Sequence, residues 1–168
     1  VTLRITASAD TEQEAAALIA PMEEKLRERL SDYIYGVDND TPESVLVQLL
    51  QEKHLKIATA ESCTGGMISS RITNVPGASE IFERGFVTYS NSAKVSLLGV
   101  EPDILQQYGA VSEQTARQMA EGVLSRTGAD VAIGVTGIAG PGGGSPEKPI
   151  GLVYIAVATR KKCVVSKH

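Results

Sequence analysis

The run Lys56-Ile57-Ala58-Thr59-Ala60-Glu61-Ser62-Cys63-Thr64-Gly65-Gly66 decides the fold. Lys56–Ala60 is short, apolar and followed by turn chemistry, the pattern of a buried strand. Glu61–Gly66 turns out of that strand towards another helix, its glycines supplying tight geometry. Such strand-to-helix turns are the building step of open α/β sheets.

Outward from this run, helices alternate with short apolar strands. Thr41-Pro42-Glu43-Ser44 starts a helix: Thr41 caps, Pro42 suits the first helical position and Glu43 favours the positive end of the dipole. Its capping box is read as incomplete, because Ser44 stands where a Glu or Gln would reach back. Val45, Leu46, Leu49 and Leu50 then recur on one helical face. A strand at about Phe86–Tyr89 leads into a short helix carrying Lys94. Ser112 caps the clearest helix, with Ala116, Met119, Ala120, Val123 and Leu124 as its apolar stripe and Gly128 as its stop. Val131–Val135 and Leu152–Ala158 read as buried strands around a Gly- and Pro-rich loop. The expectation is a layered α/β/α domain with a mostly parallel or mixed central sheet. Strand order is not legible from these patterns.

Residues 1–40 differ in charge. They carry nine acidic and four basic side chains, a net of −5, whereas the other 128 carry eleven and twelve, a net of +1. They read as a small β-α-β appendage: strand Val1–Ala7, helix about Thr11–Leu30 and short strand Tyr33–Gly36, with Val37–Asp40 as linker. Pro21 is expected to kink that helix or restart it. The division expected is therefore 1–40 and 41–168. Opening on Val1 rather than Met, the chain reads as a fragment or processed piece.

Composition narrows the chemistry. The 168 residues are 42% hydrophobic and 21% charged, ordinary globular usage that argues against disorder. No apolar run approaches a bilayer-spanning length, so no membrane association is expected. The net charge of −4 disfavours direct nucleic-acid contact. Two cysteines, Cys63 and Cys163, make neither a disulfide framework nor a metal knuckle, so a reducing cytoplasm is expected. Only two histidines are present, one at the last position. That disfavours a His-based metal site or an imidazole-activated serine.

Three segments hold the candidate chemistry. Ser62 sits where a helix entrance offers backbone N–H groups to a developing oxyanion, although the same turn also serves as plain tight geometry. Thr88-Tyr89-Ser90-Asn91-Ser92-Ala93-Lys94 supplies a lysine and a tyrosine. A serine hydroxyl needs a base, and without histidine a desolvated neutral lysine, directly or through a tyrosine hydroxyl, is the remaining route near pH 7. Thr136-Gly137-Ile138-Ala139-Gly140-Pro141-Gly142-Gly143-Gly144 follows a strand, where α/β sheets bind ligands. It has neither a P-loop ending nor the dinucleotide spacing. Cys63 is a rival nucleophile with no histidine evidently placed to activate it; a small buried hydrophobe is the plainer reading.

Glu61–Gly66, Phe82–Asn91, Gly109–Ser112 and Thr136–Pro141 resemble, in order, motifs of the C-terminal domain of the CinA (competence/damage-inducible protein) family. That domain is itself similar to stand-alone nicotinamide mononucleotide deamidases. The resemblance covers 41–168 and makes 1–40 the tail of a preceding domain. It implies hydrolysis of nicotinamide mononucleotide to nicotinate mononucleotide and ammonia, in pyridine nucleotide recycling. Ser62 is implied as nucleophile, Lys94 as base and Tyr89 as hydrogen-bonding or relay group. Thr64, Gly65, Gly66, Asn91, Thr136, Gly137 and Gly140 are implied around the substrate. Amides at Thr64–Gly66 are the expected oxyanion site. No metal or other cofactor is implied, and self-association is common among such enzymes. Family members continue with a Gly-Asp-Arg-containing stretch and a closing helix, so a chain ending at His168 is expected to be impaired. The rival expectation is a non-catalytic nucleotide-binding or regulatory module linked to competence or DNA damage.

Overall fold

A computed structural model describes residues 1–168, and its contacts divide the chain into Val1–Val45 and Leu46–His168. In the first unit, helix α1 spans Glu12–Leu30. Its start is a reciprocal box: Glu14 N donates to Thr11 Oγ1 and Thr11 N to Glu14 Oε2, each at 3.2 Å. Pro21 does not restart the helix, which is α-helical throughout. The carbonyl that proline leaves without a donor belongs to Ala17, an exposed residue of the helix. No residue of α1 is buried.

The two strands expected in this unit do not form. Val1–Ala7 joins no ladder, and Tyr33 closes a 3₁₀ turn, Ser31–Tyr33, with no strand after it. Alternation makes a segment suitable for pairing, but a strand exists only against a partner. The cap at Thr41 is also fuller than expected. Thr41 N donates to Ser44 Oγ at 2.9 Å and Ser44 N to Thr41 Oγ1 at 3.1 Å, so a serine closes the reciprocal pair. Helix α2 runs Pro42–Glu52 from this cap.

The second unit is a five-stranded mixed sheet. Its strands are β1 Ile57–Glu61, β2 Phe82–Val87, β3 Val131–Gly137, β4 Val153–Thr159 and β5 Cys163–Lys167, in the order β2-β1-β3-β4-β5. β1 is parallel to β2 and β3; β4 and β5 are antiparallel additions. Between the strands run α3 Met67–Thr73, the short α4 Asn91–Ala93, a π-helical turn Lys94–Leu98, α5 Pro102–Tyr108 and α6 Glu113–Arg126.

Alternation along β1 assigns its two faces. Ala58 and Ala60 join Ala132, Ala156 and Ala158 in a floor of small residues under Ala116, Met119, Ala120 and Val123 of α6. Ile57 packs on the other face with Val47 and Leu50 of α2 and Ile72 of α3. Helices therefore cover both faces, the α/β/α layering expected. The small floor lets α6 approach closely: a Cβ on Gly134 would lie 2.6 Å from Ala116 O and Ala120 N.

Candidate active site

Parallel strands in register bring their carboxyl ends to one edge, the place where α/β sheets present chemistry. Thr88, Ser62 and Thr136 follow or end β2, β1 and β3, one hydroxyl-bearing residue from each of three adjacent strands. Main-chain bonds continue the ladder past β1: Thr88 N donates to Glu61 O at 2.8 Å, and Ser62 N to Val135 O at 3.0 Å. Continuing the alternation puts Ser62 on the α6 face and Glu61 on the α3 face.

Lys94 meets Ser62 directly. Its Nζ lies 2.9 Å from Ser62 Oγ, 2.8 Å from the Thr88 carbonyl and 3.1 Å from the Tyr89 carbonyl. The Lys94 side chain is wholly buried, and Ser62 is 8% exposed. No carboxylate pairs with the amine. Burial therefore holds its pKa below the ordinary lysine value, only weakly opposed by the Cys63 sulfur. Nζ is placed to donate to the Ser62 hydroxyl and to the two carbonyls; an uncharged amine at the same position has two N–H bonds for the carbonyls and a lone pair for the Ser62 proton.

Tyr89 enters this cluster through its carbonyl, while its side chain is 76% exposed. The phenol takes no part in the Lys94–Ser62 contact, which is direct. Asn91 is exposed and opens α4, after Ser90, whose Oγ caps it by accepting from Ala93 N at 3.1 Å.

On the other face, Glu61 is wholly buried and occupies the entrance of α3. Its Oε2 accepts from Gly66 N and Ile68 N, both at 3.0 Å, and its Oε1 from Ser69 N at 2.8 Å and Ser69 Oγ at 2.7 Å. Burial alone would raise its pKa, but hydrogen bonds led by Ser69 outweigh it and hold the carboxyl below the ordinary value. Ser69 Oγ is itself 2.7 Å from Thr59 Oγ1, and a Cβ on Gly85 would lie 2.6 Å from that Ser69 oxygen.

The expected oxyanion site at Thr64–Gly66 needs correction. Gly66 N is committed to Glu61, and Gly65 N donates to Ser62 O at 3.1 Å. The helix entrance is thus filled by a carboxylate of the chain itself. The amides of Cys63 and Thr64 are directed towards the Cys63 sulfur. Burial pushes the Cys63 thiol up, so it is held as the weaker, protonated neighbour.

Thr136 is buried, and its hydroxyl donates to Ala110 O at 2.7 Å, tying the strand end to the Gly109–Ser112 segment. Gly137 lies against the turn: a Cβ there would come 3.1 Å from Cys63 Sγ. Gly140 adopts a positive φ of 80° with Ile150 beside it. The loop after β3 returns to the same edge through Lys148, whose Nζ donates to Tyr108 O at 2.6 Å.

Sequence reasoning missed Glu61, although an acid ending an apolar strand before a glycine pair was a readable signal. It also missed the π-helical form of the turn carrying Lys94. No helix is long and apolar enough to cross a membrane.

Known proteins are similar to this chain. A family model described as CinA C-terminal domain matches residues 39–168, and one described as damage-inducible protein CinA KH domain matches residues 1–36. A protein named as competence-damage inducible from Caldicellulosiruptor bescii is 58% identical over 160 residues, 95% of this chain and 39% of that protein. A similarly named protein from Moorella thermoacetica is 54% identical over 168 residues, 100% of this chain and 41% of that protein. The chain thus spans about two fifths of the length of these curated relatives. Among solved structures, a CinA superfamily protein from Escherichia coli is 36% identical with a TM-score of 0.74, covering 80% of each chain. The competence/damage inducible protein CihA from Agrobacterium tumefaciens is 44% identical with a TM-score of 0.71, covering 79% of this chain and 83% of its own.

Proposed function

The chain belongs to the CinA C-terminal domain family over residues 39–168, and from that membership we propose that it is a serine amidohydrolase acting on nicotinamide mononucleotide. The observation that carries the reading is the 2.9 Å contact between buried Lys94 Nζ and Ser62 Oγ. The substrate rests on the resemblance of the motifs to nicotinamide mononucleotide deamidases.

In the proposed reaction the Ser62 oxygen bonds to the carboxamide carbon while its proton passes to the uncharged Lys94 amine. The carbonyl oxygen becomes an oxyanion, for which the Cys63 and Thr64 amides of the turn are the proposed donors. When the C–N bond breaks, protonated Lys94 gives its proton to the departing amide nitrogen, which leaves as ammonia. Water then attacks the acyl-serine while Lys94 takes its proton, and Lys94 returns that proton to the Ser62 oxygen as the ester bond breaks and nicotinate mononucleotide departs. Burial lowers the amine's pKa, which favours its taking up and giving back a proton in each half.

Ammonia release from nicotinamide mononucleotide tests this. Turnover is expected in the wild type and lost in Ser62→Ala and in Lys94→Ala. Saturable nucleotide binding with no ammonia from any form would instead mark a non-catalytic nucleotide-binding module. Full turnover in Lys94→Ala would remove the base.

A further inference from the structure

A glycine in the middle of a 14-residue helix is poor helix chemistry and asks for a packing reason. Gly122 of α6 has one. A Cβ there would collide with the carbonyl oxygen of Leu98, the last residue of the π-helical turn that begins at Lys94. The contact is backbone against backbone, so no flexible side chain is available to move aside.

Gly122 is the middle of a stripe. One turn earlier, Gln118 Oε1 accepts from Glu101 N at 2.9 Å. One turn later, the Arg126 guanidinium stands where a Cβ on Gly99 would be, and Gly99 holds a positive φ of 72°. Residues spaced by four lie in a row along a helix, so one edge of α6 grips the chain at 98, 99 and 101. Leu98 and Val100 are sunk beside it, each 1% exposed, among Met119, Ala120 and Val123. The turn closes back on the lysine itself: Val100 N donates to Lys94 O at 3.2 Å, and the Gly99 amide also turns to Lys94 O. π turns carry an extra residue relative to an α-helix and persist where something outside them enforces the register.

We propose that Gly122 is a positioning residue, flanked by Gln118 and Arg126, that sets the height of the π turn and thereby holds Lys94 Nζ against Ser62 Oγ. The inference rests on the Ser62–Lys94 reading for its kinetic consequences but not for its structural ones. Misplacing a reacting group by about 1 Å costs on the order of 10²-fold in rate, so a Cβ at 122 acts on the chemical step without touching substrate.

The test uses the whole chain in two ways. In Gly122→Ala, kcat for nicotinamide mononucleotide is expected to fall about 10²-fold with KM within about twofold of wild type. In parallel, brief acetylation with acetic anhydride followed by peptide mass mapping reads the access of Lys94. The buried amine of the wild type resists, and the variant is expected to label several-fold faster there, with Lys56 and Lys161 unchanged as internal standards. Unchanged kcat and unchanged Lys94 labelling in folded Gly122→Ala would overturn the assignment. Should Gly122→Ala not fold, the double variant Gln118→Ala/Arg126→Ala decides by the same two readouts, and wild-type values in it would overturn the proposal equally. Should the wild type release no ammonia at all, the substrate reading fails while the labelling still decides the role of Gly122.

Discussion

The end of β1 places two buried ionisable groups on opposite faces of one strand, and they are solved in opposite ways. Glu61 receives four hydrogen bonds from the start of α3. Lys94, against the next residue, donates to two carbonyls and an alcohol and meets no opposite charge. Both pKa values are lowered, but the direction means different things. For an acid, a lowered pKa is a stabilised charge; for an amine, it is a disfavoured one. One face anchors the turn with a charge, and the other disfavours the charge on its amine.

The comparison breaks most visibly in activity. Removing either member of the Ser62–Lys94 pair is expected to lower turnover on the order of 10²–10⁴-fold, the range for positioned acid–base groups. A Lys94→Met protein is nevertheless expected to fold, because a methionine stem fills the cavity without a buried amine; thermal unfolding monitored by circular dichroism checks this. Collapse of the Lys94→Met fold would show that the amine is structural.

Glu61→Gln breaks the other face. A glutamine keeps one acceptor oxygen and turns an NH₂ towards amides that also donate, so Gly66, Ile68 and Ser69 cannot all be satisfied. The expected cost is about 3 kcal/mol of stability, read from denaturant midpoints. Wild-type stability in Glu61→Gln would show that the four bonds are individually dispensable.

The pH dependence follows from the signs. Glu61 contributes stability in full above the ordinary unfolded value near pH ~4.3, lost as pH falls through its lower folded pKa. For Lys94 the unfolded chain binds the proton more readily than the folded one between the folded pKa and about 10.4. Stability contributed at that site therefore rises with pH across this window and is lowest below it. The difference in melting temperature between wild type and Lys94→Met is expected to move in favour of wild type as pH rises towards ~10. A flat difference would mean that Lys94 titrates as an ordinary lysine.

The smallest effect sharpens the choice of nucleophile. Cys63→Ala is expected to keep turnover within about fivefold, because the protonated thiol does no more than line the turn. Loss of turnover comparable to Ser62→Ala would transfer the nucleophile to sulfur.

What was legible in the sequence divides along local and non-local causes. The helix at Ser112, the strands around Glu61, Val135 and Leu152, and the turn glycines follow from caps, periodicity and turn chemistry, all read within a few residues. The pairing of β1 with both β2 and β3 depends on contacts dozens of residues apart, so strand order was hidden. The same gap explains residues 1–36, where alternation suggested strands that no partner completes. Ser62 and Lys94 were readable as a chemical necessity in a chain poor in histidine. Their contact across 32 positions was not. The occupied entrance of α3 is not legible from the turn alone, because whether Glu61, one residue before the serine, folds back onto the Gly66, Ile68 and Ser69 amides depends on the three-dimensional turn.

The most direct measurement is the titration of the Lys94 amine by NMR, using lysine labelled at Cε and Lys94→Met to assign its signal. The account requires a midpoint well below the ordinary lysine value, moving together with the rising limb of turnover. A Lys94 signal titrating with the exposed lysines near 10.5 would leave Ser62 beside a cation, unable to accept its proton.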